Sequence, residues 1–153
     1  MALAQEEKFA WTQCDGMGTA ACSRLMDSLD VPNTEREVTH KARASLLLMG
    51  GDTLGAIDEY RASVSINPGD GITYKNLAYL EGLAGKWQEA VVDIQASIGL
   101  MPGDADLRPM LAIALAKSDQ CVAATNELRQ LESNAPVSPR INESKSIVAD
   151  LCS

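Results

Sequence analysis

Residues 71–104, GITYKNLAYLEGLAGKWQEAVVDIQASIGLMPGD, decide the fold. Tyr74, Leu77, Ala78 and Leu80 recur at near-helical intervals, and Gly85 follows as a helix stop. Trp87, Ala90, Val91, Ile94 and Ile98 then form a second apolar stripe. Pro102 ends it, because proline lacks an amide hydrogen and its ring clashes with the preceding turn. The stretch reads as two helices joined by a glycine turn. Asp70 and Asp104 stand where a carboxylate caps the following helix by accepting from its free N–H groups.

The same pattern recurs on both sides. Pro68, Pro102 and Pro136 are spaced 34 residues apart, as are Ala44, Ala78 and Ala112, and Ala56, Ala90 and Ala124. Tyr60, Ile94 and Leu128 keep the step with bulky side chains. Gly51 and Gly85 keep it too, while the third unit has Asp119. Even the link repeats, Asn67-Pro68-Gly69-Asp70 becoming Met101-Pro102-Gly103-Asp104. A fixed period of this length marks a repeat array, and the small alanines let paired helices approach closely.

Ala78, Gly85, Ala90, Ile94 and Pro102, with Tyr74 and Leu77 ahead of them, resemble the tetratricopeptide repeat. The resemblance implies an all-α fold: a right-handed superhelical stack of antiparallel helical hairpins with about seven to nine helices. Three units are expected at 37–70, 71–104 and 105–138. A divergent zeroth hairpin within 1–36 follows from Ala20 and Pro32, which precede Ala56 and Pro68 by 36. At the other end, Ile141, Ile147, Val148 and Leu151 predict a capping helix within 139–153. The third unit departs from the pattern at Asp119, at Pro109 in its opening turn, and at Glu132 and Asn134, where earlier units are apolar.

Composition narrows the function classes. The chain has 153 residues and a net charge of −8, with 46% hydrophobic and 22% charged residues, which fits one folded domain. Aromatics at 4% and the acidic balance count against nucleic acid, which needs stacking platforms or a basic stripe. No uncharged apolar run approaches the length of a membrane span. The start lacks the basic and apolar regions of an intact signal peptide, yet Ala2-Leu3-Ala4 before Gln5 has the form of a secretory cleavage site.

Cys14, Cys22, Cys121 and Cys152 contain no C-x-x-C pair, and His40 is the single histidine, so no metal site is expected. The even count fits two disulfides in an oxidising compartment and equally four buried thiols. On the hairpin arrangement that the resemblance implies, 14–22 and 121–152 are the pairings expected. The segment Ala20-Ala21-Cys22-Ser23-Arg24, with a cysteine shortly before it, resembles the opening of extracytoplasmic repeat proteins of Gram-negative bacteria. That implies a periplasmic location, with the cytoplasm as the alternative.

No catalytic motif is present: no G-x-S-x-G, no H-E-x-x-H and no phosphate loop. His40 reads as a packing or surface residue, and Asp58-Glu59 as a solvated face. An enzyme and a cofactor are not expected. The resemblance places Lys41, Ser45, Met49, Lys75, Tyr79, Leu83, Ile113 and Lys117 along a concave groove for a peptide with acidic and apolar side chains. Lys41 and Asn76 match parts of the clamp that some relatives use for a chaperone's terminal carboxylate. Ser45, Asp106 and Met110 do not match it, and Asp106 has the wrong sign. The leading expectation is a non-enzymatic scaffold that binds another protein or peptide. The alternative is a cytoplasmic chaperone cradling an export client. Trp11, Phe9 and Trp87 read as core residues, with self-association through Phe9 and Trp11 left open.

Overall fold

The computed structural model describes residues 32–134 and 139–153, and every described element is helical. The expected zeroth hairpin, the cleavage-site motif, Phe9, Trp11, Cys14 and Cys22 lie outside the described residues. Seven helices follow one another there: α1 Asn33–Met49, α2 Thr53–Ile66, α3 Gly71–Leu83, α4 Trp87–Leu100, α5 Leu107–Lys117, α6 Cys121–Asn134 and α7 Pro139–Cys152. They belong to two compact units, which divide between Gly69 and Asp70.

In the first unit α1 packs along α2. Asp52 caps α2, its carboxylate accepting from Gly55 N–H at 2.8 Å. Ala44 and Ala56 are fully buried, so the two backbones meet over methyl groups. Glu59 locks the pair further: its carboxylate accepts from His40 Nδ1 and pairs with Arg43 Nη2, each at 2.7 Å. This corrects the solvated reading of Asp58-Glu59. Asp58 is exposed, but Glu59 lies one step round the helix and turns toward α1.

The second unit holds α3 to α7, with α3 on α4, α4 on α5, α5 on α6, and α7 against both α5 and α6. Its core joins Ala78, Ala90, Ile94, Leu111, Leu115, Leu128, Leu131, Ile141 and Val148 in one cluster. Ala78, Ala90, Ala112 and Ala124 are all at 2% exposure or less, as close helix contact requires. In α7 the buried row is Ile141, Ser144 and Val148, while Leu151 is exposed. The turn-by-turn row places Ser144 inward and swings Leu151 to the flank, and the Ser144 hydroxyl satisfies itself by donating to Ile141 O at 2.9 Å.

All three first helices end in the same way. Asp52 N–H donates to Leu47 O, Lys86 N–H to Glu81 O and Gln120 N–H to Leu115 O, each at 2.8 Å. This six-residue closure needs a left-handed residue just before the donor. Gly51, Gly85 and Asp119 supply it, with φ of 82°, 74° and 62°.

The starts differ. Asp70 caps α3 by accepting from Thr73 N–H at 3.1 Å and from its hydroxyl at 2.7 Å. Asp104, 34 residues on, does not cap α5; its carboxylate accepts from Asp106 N–H at 2.9 Å instead. Pro109 explains the change. A helix begun at Ala105 would need a hydrogen on the Pro109 nitrogen, so the first bond is Met110 N–H to Asp106 O at 3.2 Å, and α5 starts at Leu107.

Candidate functional site

Lys75, Tyr79 and Leu83 are spaced by four on α3, so they share one face and follow one another turn by turn. Met110, Ile113, Ala114 and Lys117 form the matching face of α5. Between them α4 contributes Trp87, Ala90 and Ile94. Tyr79 and Leu83, with these α4 and α5 residues, line a cleft of about 470 Å³, and Lys75 lies outside that lining. Tyr79 and Leu83 remain 59% and 64% exposed at its mouth.

Gly82 makes room for the cleft's aromatic wall. A Cβ there would fall 2.8 Å from Cζ3 of Trp87, so only a glycine lets the indole lie against α3. Lys117 Nζ sits over the same indole, 5.9 Å from the ring centre, within reach of a cation–π attraction. Lys117 is the cationic residue of the cleft lining.

Lys75 is differently employed. Its ammonium donates to Asp104 Oδ2 at 2.7 Å and to Asp106 Oδ2 at 3.3 Å. Asp106 also receives Arg140 Nη1 of α7 at 2.6 Å. The hydrogen bond to Asp104 holds the lysine above its usual pKa, and the same bond holds Asp104 below the ordinary carboxylate value. This cluster ties α3 to the start of α5 and α5 to α7, and its charges cancel.

In the first unit, Lys41, Ser45 and Met49 share one face of α1. Lys41 Nζ pairs with Glu37 Oε1 at 2.6 Å, Ser45 Oγ donates to Lys41 O at 3.1 Å, and Met49 is 85% exposed. The cleft thus gathers Tyr79, Leu83, Ile113 and Lys117 from the expected groove, and adds Trp87 and Met110. Trp87, expected as a core residue, packs half-buried against the core cluster and also walls the cleft. Its signal was its column: at 34-residue spacing, Trp87 stands where Thr53 and Cys121 stand in the neighbouring units.

Cys121 opens α6 and Cys152 closes α7, and their sulfurs lie at bonding distance, 2.03 Å, with Cα atoms 5.5 Å apart. Among the described residues no group of three or more His, Cys, Asp and Glu side chains is placed to hold a metal ion. No described helix is long and apolar enough to cross a membrane.

Solved structures share this architecture. The second TPR domain of human RPAP3, determined by NMR in complex with the HSP70 peptide SGPTIEEVD, superposes at a TM-score of 0.66 with 15% identity, over 77% of this chain and 98% of that one. The Arabidopsis OM64 TPR domain gives 0.64 and 14%, over 78% and 98%. The crystal structure of MamA protein gives 0.60 and 17%, over 94% of this chain and 73% of that one. No family model and no curated protein matches the sequence. Paired helices at a 34-residue step, closed by left-handed turns and superposing on these domains, give this chain the tetratricopeptide-repeat fold.

Proposed function

We propose that the protein is a non-enzymatic interaction module that binds an apolar peptide or protein segment in the cleft between α3, α4 and α5. One observation carries the reading: Tyr79 and Leu83 stand exposed at the mouth of a cleft walled by Trp87, Met110 and Ile113. Large apolar groups left facing water beside a concave surface gain free energy when a partner covers them. The RPAP3 domain of like fold was solved with a peptide, which supports the same use here. The periplasm is the proposed location, supported by the pairing of Cys121 with Cys152.

The ligand's charge is read at Lys117. Lys75 and Lys41 already face carboxylates, so an acidic group on the ligand gains most beside Lys117. A chaperone-tail clamp is not proposed, because Asp106 stands at one of its positions with the wrong sign and accepts from Lys75 at 3.3 Å. The test is selection of displayed random dodecapeptides on the protein, followed by calorimetry. Enriched peptides should pair aromatic or aliphatic anchors with Asp or Glu. Lys117→Glu should weaken them by about three- to thirty-fold, the range of a reversed, partly solvated charge. Lys75→Glu is a poor probe, since it would break the Asp104 cluster as well. No enrichment on the wild-type protein would end the proposal.

A further inference from the structure

We propose that the Cys121–Cys152 bond is a redox gate on the cleft: closed, it holds α7 against α5 and keeps the cleft's α5 wall in place; opened by a dithiol, it lets α7 loosen and lowers affinity for the ligand. The inference concerns regulation of the cleft and rests on the binding reading above.

Helix α7 is lightly anchored without the bond. Of its 14 residues, Ile141, Ser144 and Val148 are buried, and only two of those are apolar. Its ion pairs, Arg140 to Asp106 and Lys145 to Glu132, use largely exposed cations, which contribute little to docking. The bond joins the last residue of α7 to the first of α6, across 31 residues of chain. Closing a loop of that length favours the docked state by a few hundred-fold over the open chain.

Loosening at α7 reaches the cleft through α5. One face of α5 packs on α7, while Met110, Ile113 and Lys117 of the same helix line the cleft. That route depends on α7 staying in place.

The bond is within reach of a reductant. Cys121 and Cys152 are half-buried, and Cys121 borders an open concavity with Asp119, Gln120 and Val122. A thiolate of a dithiol reductant attacks Cys121, forming a mixed disulfide and releasing Cys152 as thiolate, which takes a proton. The second thiol then attacks the reductant's own sulfur, releasing Cys121. Two electrons and two protons pass to the protein, and the reductant leaves as its disulfide.

Hydrogen exchange on the full chain, oxidised and then reduced with dithiothreitol, tests the gate. The expected result is exchange at least about ten-fold faster in 139–152 and in 107–117, while 71–83 stays protected, as local opening predicts. Cys121→Ser/Cys152→Ser should reproduce the reduced pattern, and Cys14→Ser/Cys22→Ser should keep the wild-type response. A dodecapeptide selected on the oxidised protein should bind the reduced one about ten-fold more weakly. Unchanged exchange in 107–117 overturns the gate. So does equal loss of protection across 71–153, which would make the bond a plain staple of the whole unit, and so does unaltered peptide affinity beside a loosened α7. If no peptide binds the oxidised protein, the binding reading fails, and the exchange of 107–117 still decides whether α7 controls that wall.

Discussion

Asp119 has a φ of 62° where its counterparts Gly51 and Gly85 have 82° and 74°. The third turn therefore keeps the geometry of the other two with a side chain that resists it. A Cβ in the left-handed region costs about 1–2 kcal/mol for most residues and less for Asp, while glycine loses more backbone entropy on folding. Asp119 is exposed, so its carboxylate is dispensable for packing. Asp119→Gly should stabilise the protein by about 0.5–1 kcal/mol, read as a higher urea midpoint with an unchanged slope. An equal or lower midpoint would mean that the aspartate is not strained. Gly82 illustrates the opposite constraint. Its φ is ordinary for a helix, and what demands glycine is the indole of Trp87 lying where a Cβ would be.

Helix α5 shows how one residue resets an element. Pro109 delays its start to Leu107, and the freed carboxylate of Asp104 turns to Lys75 rather than to a cap. That exchange gives the α3–α5 connection a defined pH response. Asp104 is depressed in the folded protein, so its contribution is complete above the ordinary Asp value, near pH 4, and is lost as pH falls through the lower native one. Lys75 is raised, so its contribution is complete below the ordinary Lys value, near pH 10.4, and is lost as pH rises through the higher native one. Thermal unfolding of Lys75→Met should thus show a constant deficit between about pH 5 and pH 9, worth no more than about 1 kcal/mol because the pair is partly solvated. The deficit should close toward either extreme. A deficit that grows below pH 3 would contradict the pairing.

At the scale of the whole molecule, the net charge of −8 opposes compaction through self-repulsion, which salt screens. Raising sodium chloride from about 10 to about 150 mM should raise the melting temperature by a degree or two. A fall would mean that local pairs such as Glu59 with His40 and Arg43 outweigh the global term. Helix boundaries and turns were legible in the sequence because they are local: a Pro, a Gly or an apolar stripe acts within one turn of its own position, and the 34-residue step repeats that information. The buried alanines follow for the same reason, since their columns coincide with helix crossings. The cleft was legible only in part. Tyr79, Leu83, Ile113 and Lys117 lie on predictable helix faces, but Trp87 joined them because Gly82 on another helix left room for its ring. Lys75 and Lys117 look alike as groove lysines in the sequence. Their surroundings differ because Asp104 and Asp106 accept from one of them and an indole lies beneath the other. The chain's local chemistry thus determined the hairpins and their period. Which charges are cancelled and which apolar groups stay uncovered were decided by tertiary packing, because each depends on side chains brought together from distant helices.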